Sequence, residues 1–181
     1  QYESSFDTHW QDNERIFRAH TRFNPENVTP LYDAWTPYRL KFMIEEEFPD
    51  VEHVGLSEPG VGTLRYKGES FTQNIYVAGD KIFDVFTFES LDGQPLPALP
   101  DVKSLYLSES TAQKYFGAED PIGKIVEFDT GFTNEFQDFV VRGVFKELPA
   151  NSHLQVKALR RYNTDSICLL YTSDAADEIV R

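Results

Sequence analysis

The sequence is poor in cysteine and in positive charge, and it has no long apolar run. With one cysteine, Cys168, among 181 residues, no intramolecular disulfide or multi-thiolate metal site can form, and the redox compartment is left unmarked. Only 17 Lys and Arg stand against 30 Asp and Glu, a formal net charge of −13. Phosphate backbones are bound by clustered cations that release counterions, and no such cluster occurs, so nucleic acid is not an expected partner. An anionic membrane surface is disfavoured for the same reason. No stretch approaches the roughly 18 consecutive apolar residues of a spanning helix. Residues 1 to 20 lack a charged start followed by an apolar core, but the sequence opens on Gln1, so a preceding signal or anchor stays open.

What is present is enough for a core: 40% hydrophobic and 14% aromatic residues, with 15 Phe and 9 Tyr. At roughly 100–200 residues per domain, this length suits one globular unit or two small lobes. Phe6 and Trp10 share a helix face at a spacing of four, and Ile16 to Phe23 alternates as a strand with Phe17, Ala19, Thr21 and Phe23 on one side. Residues 24 to 35, with Asn24-Pro25 and Thr29-Pro30, read as a loop. Thr36 and Pro37 predict a capped helix carrying Leu40, Met43, Ile44 and Phe48 on its apolar face and ending at Pro49. Extended runs follow at 52–57, 62–66 and 71–77, the last two joined by a turn at Lys67-Gly68-Glu69. One helical turn is predicted at 80–86, a short strand at 87–91, a proline-rich connector at 92–100 and a strand at 105–107. A helix through Phe116 follows, with Ser110 and Gln113 at capping-box spacing and Gly117 as terminator. Residues 124–128 and 139–148 are extended. Interspersed helices and turn-linked strands give an α+β fold with mixed or antiparallel sheets.

Motifs that carry chemistry fail in detail. Gly117 to Ile125 superficially resembles a phosphate loop, yet five residues separate its glycines and Ile125 stands where a hydroxyl must hold magnesium, so it reads as a helix end and turn. Gly60-Val61-Gly62 lacks the third glycine of a dinucleotide fingerprint and reads as a loop. His9, His20, His53 and His153 show no metal-ligand spacing. No GxSxG elbow occurs, although a Ser–His–Asp arrangement assembles in space and stays open. Glu45, Glu46 and Glu47 splay by about 100° each on a helix and do not converge on an ion. Asn27-Val28-Thr29 fits the glycosylation sequon, a short pattern of little weight.

Several segments in order resemble the MacB-like periplasmic core domain of FtsX-like ABC-transporter permeases, in the form common in Bacteroidetes-type bacteria. They are FDTHWQDNERIFR (6–18), EEEFPDVEHV (45–54), GDKIFDVFTFESLDGQP (79–95), LSESTAQKYFGAEDPIGKIVEFD (107–129) and FVVRGVFKELPANSHLQVKAL (139–159). The last contains the family's Asn-Ser-His run at Asn151, Ser152 and His153. His9-Trp10 replaces a more usual Phe-His pair, and Asp12 stands where Asn is common. The resemblance covers roughly residues 1 to 160 and places an incomplete, two-lobed domain at residues 1–165. From Ser166 the string SICLLYTSDAADEIVR has no place in the pattern and resembles read-through of a sequencing adapter, so residues 166–181, Cys168 included, are expected to be non-native or disordered.

The resemblance implies a non-catalytic domain with no cofactor and no metal, on the periplasmic side of the inner membrane. It implies a relay of ATP-driven motion from membrane helices to a periplasmic adaptor or cargo, in export or lipoprotein release. The implied partners are a cytoplasmic ABC ATPase, reached through membrane helices, and a second permease in a dimer. Tyr32 and Trp35, aromatics in a loop, are the expected partner-facing residues. The alternative is a stand-alone extracytoplasmic ligand-binding module; a hydrolase has no motif behind it. If the domain continues past Leu159, an unpaired sheet edge and exposed apolar surface are expected.

Overall fold

The computed structural model describes residues 5–23, 29, 31–129 and 135–162. Its largest sheet starts from turn chemistry. Lys67 and Gly68 both have left-handed backbone, with φ of 49° and 88°, which lets a two-residue loop follow the right-handed twist of the strands it joins. They link Ser57–Tyr66 to Glu69–Ala78, which pair antiparallel from Tyr66 opposite Glu69 to Ser57 opposite Ala78. Two short strands, Thr21–Phe23 (β1) and Leu31–Asp33 (β2), precede this hairpin, whose arms are therefore β3 and β4. The later strands are Ser104–Ser108 (β5), Ile125–Asp129 (β6), Gln137–Phe145 (β7) and Ala158–Arg161 (β8).

Six of these strands close into a barrel in the order β3-β4-β8-β5-β7-β6, sealed by antiparallel pairing of β6 with β3 at Thr63–Arg65. The pairs β4–β8 and β5–β7 are parallel and the rest antiparallel. The unpaired edge expected of a truncated sheet is therefore absent from the barrel, because closure removes edges.

The inside of the barrel is filled all round, and over β5, β7 and β8 the outer face is packed as well, where strand periodicity puts alternate residues. Leu64, Ile75, Leu105, Leu107, Val126, Phe128, Phe139, Val141 and Ala158 form the first core, joined by Ala112 and Phe116 of the helix Glu109–Phe116. That helix lies over the hairpin end, where the Tyr115 hydroxyl donates to the carbonyls of Leu64 and Phe71 at 2.9 and 3.1 Å. Tyr106, Phe145 and Leu159 point the other way into a second core with Trp10, Ala78, Ile82, Phe88, Leu99 and Val156. The covering segment contains the short helix Ile82–Val85 and runs on through Phe88 and Leu99, so β5 is buried along its whole length.

Among the described residues the remaining α-helix is Arg39–Glu47, which is α1; the two above are α2 and α3. It departs from expectation. It starts after Tyr38 rather than at a Thr36 cap, with no side-chain cap, and buries none of its residues. Met43 and Phe48, expected on a packed face, are exposed, whereas Leu40 and Ile44 are half-buried. Tyr38 meets Tyr162, just beyond β8, at a ring separation of 6.4 Å.

Other differences have local causes. The cap of α3 is Ser108, whose Oγ accepts from the Thr111 amide at 3.3 Å, two residues before the predicted Ser110. Gly60-Val61-Gly62, predicted as a loop, runs inside β3. β2 occupies part of the predicted 24–35 loop because it pairs with β1, Thr21 opposite Asp33. Of the 16–23 strand only Thr21–Phe23 finds a partner, and residues 6–9 form turns rather than a helix. The Asn24-Pro25 turn, most of the sequon and the 166–181 tail lie outside the described residues.

Among the glycines of the wall, Gly62 is the most closely packed. A Cβ there would lie 2.3 Å from Cε2 of Phe128 and 2.9 Å from the Asp129 carbonyl oxygen, whereas at Gly60 the nearest atom is 3.6 Å away. Gly62→Ala is expected to lower stability by about 1–3 kcal/mol, the usual cost of overpacking, and Gly60→Ala by less than about 0.5 kcal/mol. Urea unfolding followed by circular dichroism checks both; equal midpoints for the two variants would contradict the packing described.

Candidate functional site

Tyr32 and Trp35 lie at the surface, 64% and 66% exposed. Tyr32 is the central residue of β2, opposite Arg22, whose guanidinium carbon lies 5.6 Å from the ring centroid, within cation–π range. Trp35 follows a turn in which Asp33 Oδ1 accepts the Trp35 amide at 3.0 Å. Around them in the chain, Leu31, Phe42, Met43, Phe48 and Val51 are also exposed, and Phe17 reaches 88%. Phe17 and residues 31–51 thus display large apolar side chains that the barrel does not cover.

A second constellation escaped the sequence reading. Asp7 and His153 are 146 positions apart yet in contact, and the loop Ala150–His153 holds the N-terminal segment. The Asp7 amide donates to the Asn151 carbonyl at 3.0 Å. Asn151 Nδ2 donates to the Ser5 carbonyl at 2.6 Å. Asp7 Oδ1 accepts from the His153 amide at 2.9 Å and from Ser152 Oγ at 3.2 Å, while Oδ2 meets His153 Nδ1 at 2.5 Å. The Phe6 ring lies 4.7 Å from the imidazole. Three residues on, Trp10 is 4% exposed and packs on Phe86 and Phe88 in the second core. Asp7 itself has φ 58°, a left-handed conformation that costs a non-glycine residue about 1–2 kcal/mol. Its side-chain bonds offset that cost.

These contacts show how the Ser–His–Asp cluster at this turn is arranged. Ser152 is 2% exposed; its hydroxyl donates to the carboxylate rather than to the imidazole, and it accepts the Leu154 amide at 3.2 Å. A serine nucleophile needs the reverse, an exposed Oγ bonded to the base. His153, read from sequence as a surface or edge residue, is exposed as expected and also pairs with Asp7.

Among the described residues no three His, Cys, Asp or Glu side chains converge as a metal array. The phosphate-loop look-alike is a turn: the Gly123 amide donates to the Val141 carbonyl at 2.8 Å and the Ile122 amide to Asp120 Oδ1 at 3.0 Å, so neither is free to cradle an anion. A shallow open groove of about 320 Å³, lined by Pro59, Gly60, Val61, Asn74, Tyr76 and Gln155, lies on the outside of the β3–β4 hairpin.

The N-terminal attachment carries a pH dependence. Burial alone would raise the Asp7 carboxyl, but the hydrogen bonds and charge of His153, with the Ser152 hydroxyl, outweigh it and hold the group below its ordinary 3.8. His9, whose ring lies 4.4 Å from Trp10, is pushed below 6.5 by burial, against the opposing pull of Asp7. Both groups bind protons less readily in the folded state, so both make the attachment weaker as pH falls. With Trp35→Phe removing the exposed indole, Trp10 emission is expected to shift red as pH drops below 6.5 and again below 3.8. His9→Gln is expected to abolish the first step; an unchanged profile in that variant would refute the assignment.

Residues 3–176 match the family model of the MacB-like periplasmic core domain. Among solved structures, a domain from Porphyromonas gingivalis described as part of a permease protein superposes with a TM-score of 0.60 at 24% identity, covering 78% of this chain and 60% of that one. The extracellular domain of the ABC-type transporter YknZ from Gram-positive bacteria gives 0.54 at 22% identity, covering 71% of this chain and 64% of that one. The chain thus spans less than two thirds of either structure, and these two likenesses speak to the fold. No curated protein matches the chain. Among the described residues no helix is long and apolar enough to cross a membrane. With the family's sequence pattern running through almost its whole length and its α+β architecture in place, the chain belongs to the MacB-like periplasmic core domain family of ABC-transporter permeases.

Proposed function

We propose that this domain is a non-catalytic relay on the periplasmic side of an inner-membrane ABC permease. It passes ATP-driven motion of the membrane helices to a periplasmic adaptor or cargo, in export or lipoprotein release. The family match over residues 3–176 carries the reading. The geometry supports it: a closed barrel with a filled interior is suited to move as one body, and the Ser–His–Asp cluster lacks the arrangement of a nucleophile. ATP would be hydrolysed by a cytoplasmic ABC subunit or domain, and the permease would work as a dimer. The aromatic surface at Tyr32 and Trp35 is the contact with the partner, since exposed Tyr and Trp supply contact area at low entropic cost.

Sequencing the source DNA past both ends tests the permease reading. Expected are an apolar helix of roughly 20 residues before Gln1, further domain sequence in place of residues 166–181, and an ATPase gene nearby. A cleavable signal upstream with a stop codon at Arg181 would instead favour the stand-alone binding module. In the full-length permease, Trp35→Ala and Tyr32→Ala are expected to lower transport-dependent complementation of a deletion strain about tenfold, as for loss of a ~1.4 kcal/mol contact. Circular dichroism and melting of the domain should stay unchanged. Undiminished complementation, or loss of the folded state, would count against an interface role.

A further inference from the structure

The Asn-Ser-His run is left unexplained by a partner-binding role, because it faces the protein's own N-terminal segment. We propose that the Asn151–His153 turn is the joint through which the segment before the barrel moves it, with residues 5–10 as the handle that the turn grips. The source of the pull rests on the permease reading above; the grip itself does not.

Three observations carry this. The contact is dense and directional: Ser5 and Asp7 make five hydrogen bonds of 3.2 Å or less to three consecutive residues, at least one from each of Asn151, Ser152 and His153. It leads straight into the barrel. Beyond the turn Val156 is buried, the Lys157 amide donates to the Asn74 carbonyl at 2.9 Å, the Ser108 amide donates to the Lys157 carbonyl at 2.9 Å, and β8 follows between β4 and β5. A pull on residues 5–10 is therefore delivered to the interior of the sheet rather than to a loop tip. Finally, the contact is concentrated: Ile16 still packs against the second core, but Phe17 is almost fully exposed and β1 pairs with β2 rather than with a barrel strand. The turn and the Trp10 anchor hold the segment at one place, which is what a joint requires.

Asp7→Asn removes the charge while keeping a residue that tolerates the left-handed backbone, and Asn151→Ala removes the separate bond to Ser5. Both are made in the full-length permease with its ATPase in proteoliposomes, carrying a dye on Val61→Cys and an acceptor dye on lipid. Hydrogen exchange of the amides over residues 7–10 is expected to speed up about tenfold or more in both variants, with β5 and β8 still protected. ATP hydrolysis should stay within about twofold, and the ATP-driven change in energy transfer seen in the parent should be lost. Movement that persists after the handle is released would overturn the joint and leave the permease reading intact. Unchanged exchange over residues 7–10, or loss of β5 and β8 protection in both variants, would also overturn it. A parent protein whose barrel does not respond to ATP would defeat the permease reading, and with it the proposed transmission.

Discussion

Pairing of β6 with β3 over Thr63–Arg65 closes the sheet, and most of the architecture follows from that closure. A closed wall has no edge to protect, but its outer face stays apolar where Tyr106, Phe145 and Leu159 point outward. That face must be covered, and the chain does so with residues 79–99 and with Trp10. The N-terminal segment is thus attached because the barrel needs its indole, and the Asp7 cluster fixes the approach. Closure also places glycine at Gly62, where the Phe128 ring fills the space of a side chain.

Features set by neighbouring residues were legible in the sequence. The Lys67-Gly68 turn marked the β3–β4 hairpin, alternation marked β7, and Gly117, with φ 57°, ended α3. The mis-set cap at Ser110 shows the limit of local reading: Ser108, Ser110 and Thr111 all offer hydroxyls, and only the position where β5 ends decides which one caps. The glycines of β3 were misread for a related reason. Glycine usually weakens a strand, and the Phe128 ring that makes Gly62 necessary comes from β6, far along the chain.

Long-range features were not legible from spacing. The parallel pairs β4–β8 and β5–β7 join strands separated by many residues, and no local pattern encodes them. Asp7 and His153 fall in the first and last of the motif blocks that identified the family, so the signal for the attachment was present as two unconnected strings. The α1 helix failed in the opposite sense. Its amphipathic spacing was read correctly, but an apolar face is buried only where another element covers it, and no described residue covers Met43 or Phe48.

The proposed relay would use these two outcomes differently. In the barrel, polar groups are spent on holding parts together. Arg65 meets Glu127 with two bonds of 2.7 and 2.6 Å, and just beyond β8 burial, helped by the bond it donates to Glu58 at 2.9 Å, pushes the Tyr162 hydroxyl well up. Such shifts arise from structural pairing and need no catalytic explanation, although perturbed groups often mark active sites. Over residues 31–51 several large apolar groups, Tyr32 and Trp35 among them, face outward. A relay needs both parts, a stiff body that does not absorb motion and an adhesive surface that delivers it. The Asn151–His153 turn stands where the incoming segment meets that body, which is where the proposed joint needs its polar contacts.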